Sequence, residues 1–320
     1  MTGELIWGMP VIAYLFLAGL GAGAGTVGSS VLLRGGGGAR GIHLEVARYG
    51  AFIAPLPVII GCLLLIFELG SFEAGHWFKW LNLYRVINLS PMSIGTWLLT
   101  VFIVTSVVYA YTFIPNAPVL GENRLPLRRI LAWVNVPVGI GVAVYTGVLL
   151  GAMPSRPFWN SPVLALLFLV SALSMGIAAI LLARAIFHRR RDREEIERQY
   201  RDSGYLLTAS DVLLLGFELM VVFLFLMFAY LTVGDVRHAI AVILPQGELA
   251  TLFWVGFVLV GLVLPALIEL GYVIPRLLYH KPFAAPRGVE IVVPIIVLIG
   301  GFVLRYVVVV AGQITGPVGV

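Results

Sequence analysis

The chain runs to 320 residues with a formal net charge of +5; 60% of them are hydrophobic, 12% are charged, and the mean hydropathy is +1.01. A water-soluble domain is about 45–50% apolar and about 25% charged, so these values exclude an ordinary soluble protein and make the bilayer the main solvent. The single cysteine, Cys62, cannot supply the four thiolates of an iron–sulfur cluster or close an internal disulfide.

In chain order, eight apolar runs reach the roughly 20 residues that a bilayer crossing needs: 5–33, 49–71, 89–115, 131–153, 162–187, 205–233, 249–275 and 289–313. Inside lipid every backbone polar group has to be paired within its own segment, which makes each run a helix. The expected fold is all-α: a polytopic membrane protein of eight transmembrane helices in two four-helix bundles. Residues 1–155 hold helices one to four, and 156–320 hold helices five to eight with an Arg-rich cytoplasmic loop at 188–204. The chain starts Met1-Thr-Gly-Glu4 without a basic leader region, so the first run reads as a helix that is retained.

Within helix one, Gly23-Ala-Gly25-Thr-Val-Gly28 matches a dinucleotide fingerprint, but that motif works only where a strand turns into a helix. Inside a membrane helix, small residues at this spacing serve close helix packing. Residues 35–38 are all glycine and read as a flexible linker. The charged run from Arg189 to Arg198 reads as the start of a solvated helix, with Glu194/Arg198 and Glu197/Arg201 four apart in the favourable order; anionic lipid or a partner is the other reading. Trp7, Trp77, Trp80, Trp97, Trp133, Trp159 and Trp254 lie mostly near helix ends, where an interfacial belt accounts for most of them.

Positive charge sorts the loops. The first holds Arg34, Arg40 and Arg48, the third Arg124, Arg128 and Arg129, and the seventh Arg276, Lys281 and Arg287. The fifth is the richest, with Arg184, Arg189, Arg190, Arg191, Arg193, Arg198 and Arg201, whereas the even loops hold only Lys79, Arg85, Arg156 and Arg237. The positive-inside rule then puts the odd loops in the cytoplasm and both termini outside, periplasmic for a cell inner membrane. The histidines His43, His76, His188, His238 and His280 all fall in loops or at helix ends, so no pair is placed to ligate a haem. No metal site is legible.

Ionisable residues inside a span cost about 2.5–3.5 kcal/mol at mid-helix and are functional candidates for that reason. They are Glu68 near the outer end of helix two, Asp211 and Glu218 in helix six, Glu269 in helix seven and Arg305 in helix eight. An internal ion pair that fixes helix register is the alternative. Asp211 and Glu218 stand seven apart, on one face and about 10 Å apart along the axis. With Glu269 at a similar inner depth and Arg305 in helix eight, they are expected to line a proton route to the cytoplasm.

Outer-side polar residues converge as well. Helix one begins outside with Trp7-Gly-Met-Pro10 and Tyr14, and helix two ends there at Glu68. Helix three starts outside at Asn88-Leu-Ser-Pro91-Met-Ser93, and helix four ends at Tyr145, followed by Arg156 and Asn160. Hydroxyl, amide, carboxyl and guanidinium groups from four helices suit an amphipathic ring with two carbonyl acceptors, which describes a quinone.

Trp7-Gly-Met-Pro-Val-Ile-Ala-Tyr-Leu-Phe-Leu-Ala-Gly19, Ser90-Pro-Met-Ser93, Tyr145-Thr-Gly-Val-Leu-Leu-Gly151, Ser155-Arg-Pro-Phe-Trp-Asn160 and Leu304-Arg-Tyr306 leading to Ala311-Gly-Gln313 resemble the NrfD/polysulfide reductase membrane-subunit family. The resemblance spans nearly the whole chain. It implies an eight-helix subunit without haem that anchors a multi-subunit respiratory oxidoreductase and handles menaquinone or ubiquinone near the outer face, beside a tyrosine matching Tyr145. It also implies partners on that face: a ferredoxin-like iron–sulfur subunit and a molybdopterin catalytic subunit. Where polysulfide reductases carry histidine at the first-helix quinone position, the nearest residue here is Tyr14. The expected catalytic residues are Tyr145, Glu68 and Arg156, and the expected quinone contacts are Tyr14, Asn88, Ser93, Tyr145 and Asn160. An eight-helix secondary transporter, with inverted repeats and broken helices, and a passive anchor are the other two classes. No clear internal repeat is visible, and nothing points to nucleic acid.

Overall fold

A computed structural model describes residues 7–35, 42–69, 84, 90–114, 124–187, 194–280, 282–283 and 285–316. The described residues are helices and connecting turns, without strands. In order they are α1 (Met9–Arg34), α2 (Ile42–Ile53), α3 (Pro55–Leu69), α4 (Pro91–Tyr111), α5 (Leu125–Gly151), α6 (Val163–Phe187), α7 (Glu194–Leu231), α8 (Asp235–Ile240), α9 (Leu264–Tyr279) and α10 (Arg287–Ile314). A π-helical stretch, Leu252–Val263, runs directly into α9. Eight of these units are long and apolar enough to cross a membrane, with α2–α3 forming one crossing and the π stretch with α9 another.

Local chemistry sets the helix ends. Proline stands in the first turn of α1, α4 and α5, where its missing N–H would have lacked a partner anyway. Ser90 caps α4, its hydroxyl accepting from the Ser93 amide at 3.3 Å. The second crossing breaks at Ala54, because Pro55 and Pro57 have no N–H to give the carbonyls one turn back. Apolar runs alone had started that crossing at residue 49, but α2 begins at Ile42 and buries Val46 and Ala47. The Arg-rich stretch 188–204 is likewise only partly a loop: from Glu194 onward it is helix, continuous with the sixth crossing.

α1 and α6 form the centre. In their most apolar stretches 78% of α1 and 67% of α6 is buried, against 50% or less for the other six crossings, which therefore present broad faces to lipid. α1 packs against α2, α3, α5 and α6, while α6 also packs against α7 and α10, and α9 and the π stretch close against α7 and α10. Without a hydrophobic force between helices in lipid, close packing has to hold them together. Glycine makes it possible: a Cβ on Gly23 would fall on the Ala172 carbonyl, and one on Gly176 on the Gly23 backbone. Gly28 meets Gly50 in the same manner. The GxGxxG-like run of helix one is thus a packing seam.

Candidate functional site

Three polar constructions occupy the interior. The first ties the two chain ends together at the end of the bundle where α1 begins and α10 finishes. Gln313 reads the backbone of Trp7 in both directions: its Oε1 accepts from the Trp7 amide at 2.8 Å and its Nε2 donates to the Trp7 carbonyl at 3.0 Å. Trp7 stacks on Trp159 with ring centroids 5.2 Å apart, and the Trp159 Nε1 donates to the Val308 carbonyl at 2.7 Å. A Cβ on Gly312 would fall on that indole, so glycine is what admits the ring. Arg156 Nη1 donates to the Gln313 carbonyl at 2.8 Å, and a cation suits the carbonyl end of a helix. Asn160 is exposed on the turn that follows Arg156. Trp159, only 2% exposed, is therefore a buried clamp and not part of an interfacial belt; an indole near a helix end looks the same in sequence in either role.

The second construction lies one to two turns deeper. Tyr14 is fully buried and Tyr145 nearly so, and their side chains interact with each other and with Cys62. Tyr14 is seven residues inside Trp7, and Tyr145 is six inside the end of α5, so each sits about 10 Å from that end at 1.5 Å per residue. The Tyr145 ring lies flush on the backbone of Gly95, where a Cβ would overlap it, and α3 approaches Tyr14 through Gly61. Ser93 is buried in the same first turn of α4. The Tyr14 hydroxyl has no hydrogen-bond partner that meets geometric criteria among the described residues. The structure thus brings Tyr14 and Tyr145 together and seats Tyr145 on Gly95, with Ser93 buried nearby on the same helix; sequence reasoning missed Gly95, because a glycine just past a capped proline turn carries no signal on its own. Asn88 and the Glu68 side chain lie outside the described residues.

The third construction crosses α6, α7, α9 and α10. Ser174 Oγ donates to Asp211 Oδ1 at 2.8 Å, and Arg305 Nη1 donates to Ser171 Oγ at 2.6 Å and to the Gly301 carbonyl at 3.0 Å. Glu218 interacts with Ser171 and Arg305, and Asp211 with Glu218 and Glu269. Because α6 and α7 are antiparallel, going back from Ser174 to Ser171 runs the same way along the bundle as going forward from Asp211 to Glu218, over about 4.5 Å and about 10 Å respectively. No close ion pair joins Arg305 to any of the three carboxyls; instead its guanidinium lies 5.0 Å over the Phe168 ring. Asp211 Oδ2, Glu218 Oε1, Glu269 Oε2 and Arg305 Nε and Nη2 have no partner among the described residues. In an apolar medium such orphans are costly and call for water or a ligand. Arg305 also reaches the opposite side of the seam, its Nη2 lying 3.2 Å from where a Cβ of Gly19 would stand.

Glu269 lines a cavity of about 30 Å³ that extends toward the arginine-rich end between Thr208, Tyr200, Arg184 and Glu290. There Tyr200 donates to Glu290 Oε2 at 3.0 Å, and Arg184 Nη2 donates to the Tyr200 carbonyl at 2.8 Å and to Ser203 Oγ at 2.6 Å. The four sequence-proposed proton residues thus stand in one buried cluster. Ser171, Ser174 and the Tyr200–Glu290 bond were not foreseen, since lone serines and end-of-helix polar residues are common in any membrane helix.

Comparison with known proteins bears on this geometry. The family described as polysulphide reductase, NrfD, matches residues 1–317. A polysulfide reductase component of Wolinella succinogenes is 32% identical over 318 residues, covering 97% of this chain and 95% of that one. Protein NrfD of Escherichia coli is 30% identical, covering 98% and 96% respectively. A selenate reductase component of Mesobacillus selenatarsenatis is 21% identical across 84% of this chain and 67% of its own length.

Proposed function

We propose that this chain, which belongs to the NrfD family of polysulphide reductase membrane subunits, is the quinone-reactive anchor of a respiratory reductase complex in a cell inner membrane. The observation that carries this reading is the buried pair Tyr14 and Tyr145, whose side chains meet inside the bundle. Two phenols side by side, about 10 Å in from one end, fit a ligand that offers carbonyl acceptors and arrives through the lipid. Menaquinone or ubiquinone, when bound, supplies two-electron, two-proton redox chemistry. Tyr145 donates a hydrogen bond to the ring oxygen, Tyr14 orients the pair, and Gly95 keeps the Tyr145 ring flat against α4. Ser93, buried in the first turns of α4, is the third proposed contact; Asn88 and Glu68 are proposed from the sequence alone. Arg156 and Asn160 lie at its outer rim, where Arg156 holds the end of α10 in register.

The helices fall in this reading into two four-helix groups divided near residue 155 and meeting at the α1–α6 seam. By charge distribution the arginine-rich end faces the cytoplasm and the Trp7–Trp159–Gln313 end faces outside. Glu269, Asp211 and Glu218 then form a proton route from the cytoplasmic cavity to Arg305, which touches α1 about 7.5 Å deeper than Tyr14 along the helix axis. Electrons are exchanged between the quinone–quinol pair and a ferredoxin-like iron–sulfur subunit on the outer face, which in turn exchanges them with a molybdopterin subunit. The named relatives include components of polysulfide and selenate reductases, which supports partners of this kind.

Three outcomes test the reading. In the assembled complex, Tyr145→Phe keeps ring packing and removes one hydroxyl, so quinone-linked turnover falls on the order of 10- to 100-fold while assembly is unchanged; a passive anchor predicts no loss. Glu218→Gln keeps size and abolishes the charge, so the reconstituted complex loses its proton or potential response; an unaltered response leaves Glu218 structural. Crosslinks from the complex map to the segment around residues 154–161, and crosslinks confined to the arginine-rich end would reverse the orientation.

A further inference from the structure

At the arginine-rich end, α7 and the close of α9 enclose an open basin of about 600 Å³. Its α7 wall carries Arg198, Arg201, Asp202 and Tyr205, which share one helix face by their spacing. Its α9 wall carries Arg276, Leu277 and His280. Arg276 Nη2 pairs with Asp202 Oδ1 at 2.7 Å, and its guanidinium lies 4.4 Å over the Tyr205 ring. Within the basin's own lining, one carboxylate faces three arginines, and Arg198 and Arg201 stand exposed on the rim, with Glu194 and Glu197 one turn behind them on α7.

An apolar track leaves this basin toward the middle of the membrane. Leu277, Ile274, Leu270 and Leu267 recur at spacings of 3, 4 and 3 and so occupy one face of α9. Leu277 is 61%, Ile274 40% and Leu267 63% exposed, although none of them faces water in a crossing helix. A positive basin at the head of an exposed apolar stripe has the form of a phospholipid, with the phosphate above and an acyl chain below.

We propose that this basin is a binding site for an anionic glycerophospholipid, whose phosphate lies between Arg198, Arg201 and Arg276 and whose acyl chain follows Leu277 to Leu267. Excess positive charge excludes zwitterionic headgroups from an advantage here, because a neutral choline phosphate neutralises nothing. The Arg276–Asp202 pair, seated on Tyr205, fixes the floor, while the two rim arginines give the lining its net positive charge. The basin shares Phe283 with the cavity beside Glu269, but its arginines are not part of the tyrosine pair or of the carboxyl cluster, so the site stands whether or not those act as proposed.

The purified full-length protein in detergent, titrated with phosphatidylglycerol, phosphatidylcholine or inorganic phosphate while its thermal midpoint is followed by tryptophan fluorescence, tests the site. Phosphatidylglycerol is expected to raise the midpoint saturably, and phosphatidylcholine with the same chains is not. The double change Arg198→Gln and Arg201→Gln, at two exposed positions, weakens the phosphatidylglycerol response roughly 30-fold, and Arg198→Lys with Arg201→Lys retains most of it. An equal response to phosphatidylcholine, saturation by inorganic phosphate alone, or an unchanged response in the double glutamine variant would each overturn the proposal.

Discussion

Helices α1 and α6 touch backbone to backbone because Gly23 and Gly176 have no side chains to hold them apart. In lipid, where apolar surface is as well solvated outside the protein as inside it, contact of this closeness is what binds crossing helices. Everything polar in the interior is arranged around that seam. α1 carries Tyr14 on one side of it, α6 carries Ser171 and Ser174 on the other, and Arg305 of α10 reaches from the serines to Gly19 of α1. A bulkier seam would separate these groups by several ångströms and leave each of them stranded in hydrocarbon.

The cost of such burial gives the arrangement its meaning. Three carboxyls and a guanidinium lie inside the bundle with several atoms unpartnered among the described residues, although a close ion pair between them would have relieved part of the penalty. In the proposed proton route, the absence of a tight pair leaves each carboxyl able to take up and release a proton. The cavity beside Glu269 extends toward Tyr200 and Glu290 at the arginine-rich end, while the tyrosine pair lies near the other end. The clamp of Trp7, Trp159 and Gln313 closes the bundle at the tyrosine end and joins residues 306 positions apart in sequence.

The crossings were legible because apolar length in a bilayer has one structural solution, and the eight expected runs overlap the eight observed ones. Their ends were less so. α2 starts earlier than its apolar run because its first turns are buried against neighbours rather than against lipid, and hydropathy does not separate the two. Asp211, Glu218, Glu269 and Arg305 announced themselves as charges where charge is costly, and the structure brings all four together. Ser171 and Ser174, which hold two of them, stayed hidden because a serine satisfies itself within any helix. Gly95 and Gly312 were invisible for a different reason: what they do is make room for Tyr145 and Trp159, and room is a property of the partner. The role of Trp159 was misread, since the belt and the clamp place an indole at the same point along a helix.

We propose that a quinone enters the interior between Tyr14 and Tyr145. Photolabelling of the membrane-embedded complex with an azido-quinone, followed by peptide mapping, locates the ring directly. Adducts are expected on the segments of α1 around Tyr14 and of α5 around Tyr145, competed away by unlabelled quinone. Competable adducts confined to the apolar groove lined by Tyr49, Phe52, Phe113 and Phe187 near the opposite end, with none at the tyrosine pair, would contradict it.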